Sequence, residues 1–199
     1  PHHPAATMPR ATEWSCHDEA LSPVVEIYSS HGNSRTSQEY DPYDPLTHPF
    51  CLDCAVDSAL SPDAYGLRLG VIGGTDTHDS WPGMTCHRDQ VKGHPYGGSL
   101  TGLYLPAGEP LTRLTIYDAL RARHTYATTG PRWPALLTVR DGNGNVLAST
   151  GDVLAPPPEM PITVHVRLPP EVSPYIARVQ LFDSAGEAEL IRETTEVIE

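Results

Sequence analysis

The residues of this sequence best suited to chemistry centre on an Asp-Thr-His tripeptide. Asp76 and His78 come directly after the apolar run LRLGVIGG, residues 67–74. In extended backbone, residues two positions apart point to the same side, so this carboxylate and imidazole can reach one cation together. The pair is therefore predicted to bind a metal and to be catalytic. In the alternative interpretation, Asp76 caps the amides of a turn and His78 is only a polar residue.

Four further residues supply ligands of the same kind. Two histidines lie between prolines near residue 1, an acidic residue interrupts the apolar run PVVEIY (23–28), and another histidine follows that run. Imidazole nitrogens and carboxylate oxygens hold zinc, manganese or iron in hydrolytic sites. The complete set of predicted metal ligands is His2, His3, Glu26, His31, Asp76 and His78.

The elements that must position these ligands can be predicted from hydrophobic spacing. Short runs rich in branched apolar residues predict strands over 23–28, 67–74 and 100–105. Helical spacing predicts a short helix over 51–60 and a longer amphipathic helix over 111–123, capped by Thr112. Strands that alternate with helices indicate an α/β fold, in which catalytic groups gather at the carboxyl ends of strands.

The character of the chain changes near residue 133. From there the sequence shows alternating strand residues around the turn Asp141–Gly144, a single strand near 162–169, and a second hairpin with its turn near 184–186. The expected organisation is an α/β domain over 1–132 followed by a small all-β, sandwich-like domain over 133–199. Nine of the ten histidines and all four cysteines lie in the first part, so the chemistry is assigned there.

Composition excludes two classes of partner. The 199 residues carry 13 Lys and Arg against 25 Asp and Glu, a net charge of −12, which argues against nucleic acid or an anionic membrane surface. No run approaches the roughly 20 apolar residues that a membrane span requires, so a soluble protein is expected. Because the sequence starts at Pro1 without an initiator Met, we expect the natural N terminus to lie upstream. Neither the compartment nor the oligomeric state can be predicted.

Several segments together resemble the polymerase-and-histidinol-phosphatase (PHP) superfamily. They are VEIYSSHGNS (25–34), LGVIGGTDTHDSWPG (69–83), GGSLTGLYLP (97–106) and LTRLTIYDALRARHTYATTGPR (111–132). The sequence is most similar to the PHP-like branch related to hydrolases of the CehA/McbA type. The resemblance implies that residues 1–132 form the C-terminal part of a distorted (β/α) barrel. It also implies a metal-dependent hydrolase whose metals activate water against a small-molecule phosphoester or related ester.

The resemblance assigns some ligands and leaves others open. Asp76 and His78 correspond to the final Asp-x-His pair of the family, and His2 or His3 corresponds to a histidine that ends an earlier strand. Glu26 and His31 have no certain equivalent and are candidates from position alone. The N-terminal His-x-His motif of the family has no counterpart in this sequence, so we expect this chain alone to be a poor catalyst.

The cysteines leave several alternatives open. The spacing of Cys51 and Cys54 fits a structural zinc site completed by Cys86, a redox Cys-x-x-Cys motif, a disulfide, or a simple pair of thiols on one helix face. Two other functions also remain as alternatives to phosphoester hydrolysis. One is an amidohydrolase-like enzyme that acts on a C–N bond, and the other is a non-catalytic binding or structural module. Arg123 and Arg132 are more simply interpreted as surface residues than as ligands of an anionic substrate group.

Overall fold

The computed structural model describes residues 1, 4–5, 11–29, 32–35, 52–76, 98–154, 160–169, 179–182 and 188–192. Within these ranges the chain forms mostly short strands, two α-helices and two single 3-10 turns, Trp14–Cys16 and Leu52–Cys54. The helices are α1 (Val56–Leu60) and α2 (Arg113–Arg121). The strands are β1 (Val24–Ser29), β2 (Gly32–Asn33), β3 (Gly70–Gly73), β4 (Leu100–Leu103), β5 (Thr125–Thr128), β6 (Leu136–Arg140), β7 (Val146–Ser149), β8 (Thr163–Arg167), β9 (Val179–Phe182) and β10 (Ala188–Arg192).

Strands β1 and β3 are parallel, and the chain between them contains α1. They lie in a three-stranded sheet of order β2-β1-β3, in which Glu26 of β1 is opposite Ile72 of β3. The predicted strand with an acidic residue at its centre is therefore present. The predicted helix over 51–60 is shorter than expected, because a 3-10 turn occupies its first part.

The core of this region lies between the start of the chain, β1 and α1. Four buried residues form it, namely Trp14, Val25, Val56 and Ala59, and the partly buried Leu60, Tyr65, Leu67 and Leu69 pack around them. In the segment before β3 the burial of the side chains alternates, because Leu67 and Leu69 are half-buried and Arg68 is exposed. The core thus fixes the position of β1 and of the chain that enters β3.

The antiparallel pair β4 and β5 packs against β3 through side chains. The Thr101 hydroxyl accepts a hydrogen bond from the Gly73 N–H (3.0 Å) and donates one to the Gly73 carbonyl (2.7 Å). A Cβ atom on Gly70 would lie 2.8 Å from Oγ1 of Thr125, so β3 and β5 approach closely only because residue 70 is glycine.

Helix α2 begins where the sequence predicts and buries less than the sequence predicts. Thr112 and Thr115 form a capping box at its N terminus, which satisfies two backbone donors. Of its apolar residues only Ala119 is fully buried, whereas Leu111 is 75% and Leu114 is 66% exposed. The amphipathic pattern therefore identified the helix correctly and was wrong about the burial of these leucines.

Both predicted hairpins are present in the second part of the chain. Strands β6 and β7 are antiparallel around a turn in which the Asp141 carboxylate accepts hydrogen bonds from the Asn143 and Asn145 N–H groups, each at 2.9 Å. Strand β8 adds to the other side of β6, giving the order β7-β6-β8, and β9 pairs with β10 in a separate antiparallel sheet. The hydrogen bonds from Asn145 and Asn143 lower the pKa of Asp141.

The expected (β/α) barrel is wrong. The part of the chain that the structure describes forms four small sheets of two or three strands, and these do not close into a barrel. A barrel requires each strand to pair on both sides. Among these residues β1 and β3 form the one parallel pair, and the next neighbour of β3 is the antiparallel β4–β5 pair, which contacts it through Thr101 rather than through a backbone ladder. The ranges described contain no helix long and apolar enough to cross a membrane.

One tyrosine near the junction of the two parts predicts a pH dependence. Burial raises the pKa of Tyr104 to about 12, and the neighbouring Tyr126 adds to the shift. Stability from a raised pKa is complete below the unfolded value, near 10, and is lost as the pH rises toward the folded value. Between pH 8 and pH 10.5 we expect the free energy of unfolding of the parent to fall by up to about 0.8 kcal/mol more than that of Tyr104→Phe.

Urea denaturation at the two pH values measures this difference. Tyr117→Phe is the control, because Tyr117 is 56% exposed on α2, and it should follow the parent protein. An equal alkaline loss in Tyr104→Phe and the parent would contradict the assignment.

Candidate metal centre

The Glu26 side chain reaches from the centre of β1 toward the chain that leaves β3. It is 7% exposed at the centre of β1, and its Oε2 atom lies 3.3 Å from the position that a Cβ atom on Gly74 would take. The N–H of Gly74 donates to the Tyr28 carbonyl at 3.2 Å, which extends the pairing beyond β3. The absence of a side chain at residue 74 therefore leaves room for the buried carboxylate.

Asp76 follows two residues after Gly74 at the same edge of the sheet. Its φ angle is +45°, a left-handed conformation that Asp tolerates better than most residues because its short polar side chain can bond locally. Atom Oδ2 is buried although the residue as a whole is half-buried. The structure thus places the Glu26 carboxylate beside Gly74, and Asp76 follows Gly74 two residues later.

Gly98, Ser99 and Thr101, which the sequence interpretation missed, hold this edge together. The Ser99 N–H donates to the Gly74 carbonyl at 3.0 Å, and the Ser99 hydroxyl donates to the Thr128 carbonyl at 2.5 Å. A Cβ atom on Gly98 would lie 2.8 Å from Cγ2 of Thr75, so the two chain segments are in direct contact. Together with Thr101, these residues hold the backbone of 73–75 against the segment 98–101.

A signal for this contact exists in the sequence. Residues 73–75 read Gly-Gly-Thr and residues 97–99 read Gly-Gly-Ser. Paired glycines followed by a hydroxyl residue are typical of segments whose backbones approach closely and are joined by short side chains. The pattern indicates the contact, although it does not identify which segments meet.

The start of the chain also reaches this site. The Glu26 N–H donates to the Pro1 carbonyl at 3.0 Å, and Pro4 is fully buried. Pro1 and Pro4 flank the two histidines predicted as ligands. The described residue Pro1 therefore lies beside Glu26.

The remaining predicted ligands fall outside the described residues, and so does one of the two cysteines. These are His2, His3, His31, His78 and Cys51. Within the residues that are described, no group of three or more His, Cys, Asp or Glu side chains is placed to hold a metal ion. The complete ligand set thus stays a prediction.

Cys54 is buried and disulfide-bonded, and its partner lies outside the described residues. Zinc binds the thiolate form of cysteine, so Cys54 in this state is not a zinc ligand. A Cys51–Cys54 pairing remains a prediction. Cys16 is exposed and carries a free thiol.

Arg123 lies away from the candidate metal centre. A Cβ atom on Gly70, the first residue of β3, would lie 2.9 Å from Cβ of Arg123, whereas Asp76 follows the last residue of that strand.

Comparison of the chain with models of known protein families, with curated proteins and with solved structures finds no match.

Proposed function

We propose that Glu26 and Asp76 contribute oxygen ligands to a divalent-metal centre, and that the protein is a metal-dependent hydrolase of phosphoesters or related esters. The observation that carries the proposal is the buried Glu26 carboxylate beside Gly74, two residues before Asp76. Two carboxylates near the same edge of a sheet attract cations.

The donor set fits zinc, manganese or iron. Carboxylate oxygens from Glu26 and Asp76 suit all three metals, and imidazoles from His78, with His2 or His3, would supply the nitrogens that such hydrolytic sites combine with oxygen. When bound, a divalent cation supplies Lewis acidity and activates water. Cys54 is not among these proposed ligands, because its sulfur is in a disulfide.

The surrounding residues have a positioning role in this proposal. Hydrogen bonds from Ser99 and Thr101 hold the backbone of 73–74, and this backbone leads directly into Asp76. A ligand on a rigid segment keeps its geometry, so little conformational entropy is lost when the metal binds. The core residue Val25 is fully buried next to Glu26 and fixes the other ligand in the same way.

Metal binding by the whole chain tests the proposal. Protein treated with a chelator, and then freed of it, is titrated with Zn²⁺ or Mn²⁺ while metal content and thermal stability are measured. We expect Asp76→Asn and Glu26→Gln each to weaken binding by more than about 10-fold, since even residues that only support ligands are typically worth that much. Asp63→Asn and Glu109→Gln alter exposed carboxylates and should bind metal like the parent. Full metal affinity in both ligand variants would contradict the proposed site.

A positioning variant tests the geometry without removing a ligand. In Gly74→Ala the new Cβ atom would lie 3.3 Å from Oε2 of Glu26, so the carboxylate must move by a few tenths of an ångström. We expect metal affinity to fall about 10-fold while circular dichroism stays unchanged. Gly142→Ala is the control, because a Cβ atom at residue 142 meets nothing within 4 Å.

Hydrolysis assays separate the substrate classes. The chain is assayed with 4-nitrophenyl phosphate, bis(4-nitrophenyl) phosphate and 4-nitroacetanilide at saturating metal. Slow phosphoester cleavage that requires metal and disappears in Asp76→Asn is the expected result. Cleavage of the anilide alone would assign the protein to the class of hydrolases that act on C–N bonds.

A further inference from the structure

A groove of about 470 Å³ lies at the opposite end of β3 from the candidate metal centre. Three segments line it: the chain entering β3, the start of β5, and the turn after β7. A cavity of this volume is in the range that holds a small organic molecule.

The charge of the groove is opposite to that of the chain. Arg68 and Arg123 both line it, and neither guanidinium forms a hydrogen bond or ion pair with another residue that the structure describes. The single acidic lining residue, Asp152, already accepts hydrogen bonds from the Ser149 N–H (2.9 Å) and from His124 Nε2 (3.3 Å). In a protein of net charge −12, two arginines with unused donors form a local anion-attracting site.

The hydroxyl of Thr125 provides a second, independent indication of a ligand. Thr125 is 2% exposed and lines the groove, and its Oγ1 atom is buried without a hydrogen-bond partner among the residues described. A buried hydroxyl without a partner is destabilising. An oxygen atom of a bound anion would supply the missing partner after a small shift of the groove wall that exposes Oγ1, which is shielded in this structure.

The rest of the lining is aliphatic. Leu69, Val71, Val153 and Leu154 provide apolar surface beside the two arginines. Val153 is 46% exposed, so it has surface left to bury against a ligand. Inorganic phosphate would use only the charged half of this lining, and a nucleic acid would require more cations than two.

We propose that this groove binds an amphipathic organic anion, a molecule with a carboxylate, sulfonate or phosphate group joined to an apolar body. The guanidinium groups of Arg68 and Arg123 bind the anionic group, the Thr125 hydroxyl donates a hydrogen bond to it, and the aliphatic wall contacts the apolar body. The site is separate from the metal centre, which lies beyond the other end of β3. It therefore binds its ligand in the absence of metal.

Two dyes that differ only in charge test the proposal on metal-free protein. The first, 8-anilinonaphthalene-1-sulfonate, carries a sulfonate, and the second, N-phenyl-1-naphthylamine, has the same apolar body without it. Fluorescence titration should show one saturable sulfonate site and weaker binding of the neutral dye. Equal affinity for the two dyes would overturn the proposal, because the arginines would then contribute nothing.

Charge-removing variants locate the site. We expect Arg68→Met to weaken sulfonate binding about 10-fold, the usual consequence of losing a charge-assisted hydrogen bond, and to leave binding of the neutral dye unchanged. Arg68 is exposed, so its replacement does not disturb the core. Arg113→Met, on the exposed first turn of α2 and outside the groove, and Asp76→Asn should both bind the sulfonate like the parent. Sulfonate affinity within two-fold of the parent in Arg68→Met would overturn the proposal.

Thr125→Val separates a ligand contact from a structural one. Valine has nearly the same shape and removes an unpaired buried hydroxyl, so the melting temperature should stay the same or rise. We expect sulfonate affinity to fall by at least about 3-fold nonetheless. A variant with unchanged affinity would overturn the role of the hydroxyl as a donor to the ligand.

Discussion

Replacing Trp14 with alanine is expected to lower the free energy of unfolding by about 3–5 kcal/mol, the usual range for a large aromatic residue deleted from a core. Trp14 is 2% exposed and packs in one cluster with Val25, Val56 and Ala59. Its indole nitrogen forms no hydrogen bond within the part of the chain described, so the loss is one of packing and cavity formation. Urea denaturation followed by circular dichroism measures the change.

Trp133→Ala provides the matched control. Trp133 is 37% exposed, so its truncation removes less buried surface and we expect it to cost less than half as much. Equal losses in the two variants would contradict the assignment of Trp14 to the core.

Because Val25 precedes Glu26 in β1, the Trp14 variant also tests whether the core that holds this strand supports the candidate metal centre. Metal affinity should fall in it even at temperatures where the chain remains folded.

Local features of the fold could be predicted from the sequence because they depend on neighbouring residues. The branched apolar residues of PVVEIY identified a buried strand, and Thr112 identified the start of α2. The Asp141 turn identified the hairpin of β6 and β7, since its carboxylate satisfies two amides of the turn. In each case the residues that determine the conformation lie within a few positions of one another.

The arrangement of the strands could not be predicted in this way. The barrel was expected from resemblance, whereas the neighbour of β3 depends on contacts between residues about 28 positions apart, such as Thr101 with Gly73. The burial of α2 was misjudged for the same reason, because the pattern cannot show whether another element covers Leu111 and Leu114. Spacing determines which face of a helix is apolar, and only the tertiary structure determines whether that face is buried.

The positions of two candidate ligands could be predicted from the sequence, whereas the residues that support them could not. Glu26 was identified as an acidic residue inside an apolar strand and Asp76 as a residue that follows a strand, and the structure pairs these two strands in parallel. Gly74 and Ser99 were missed, because a glycine that makes room for a carboxylate and a serine that holds a backbone have no chemistry of their own. Their importance appears only when the two segments are seen in contact.

Replacing Gly151 with alanine is expected to cost about 2–5 kcal/mol of unfolding free energy. Gly151 has a φ angle of +91°, and a left-handed conformation costs a residue with a Cβ atom about 1–2 kcal/mol. The new Cβ atom would also meet the backbone carbonyl of Arg123, and such overpacking costs about 1–3 kcal/mol more. Because the obstacle is backbone rather than a flexible side chain, a rotamer change cannot relieve it.

Gly144→Ala separates the two contributions to this loss. Gly144 has a similar φ angle, +85°, and a Cβ atom there meets nothing within 4 Å, so its replacement should cost only the conformational part, about 1 kcal/mol. Thermal and urea denaturation of both variants give the difference, which is the energy of the contact between the turn after β7 and the start of β5. A difference near zero would show that a Cβ atom at residue 151 does not clash with Arg123.

Gly151 and Arg123 both line the groove. A large difference therefore also means that Gly151→Ala displaces one wall of the groove, so this variant should bind the sulfonate dye more weakly as well as being less stable. The two parts of the chain are thus joined at the same contact that shapes the anion-binding groove.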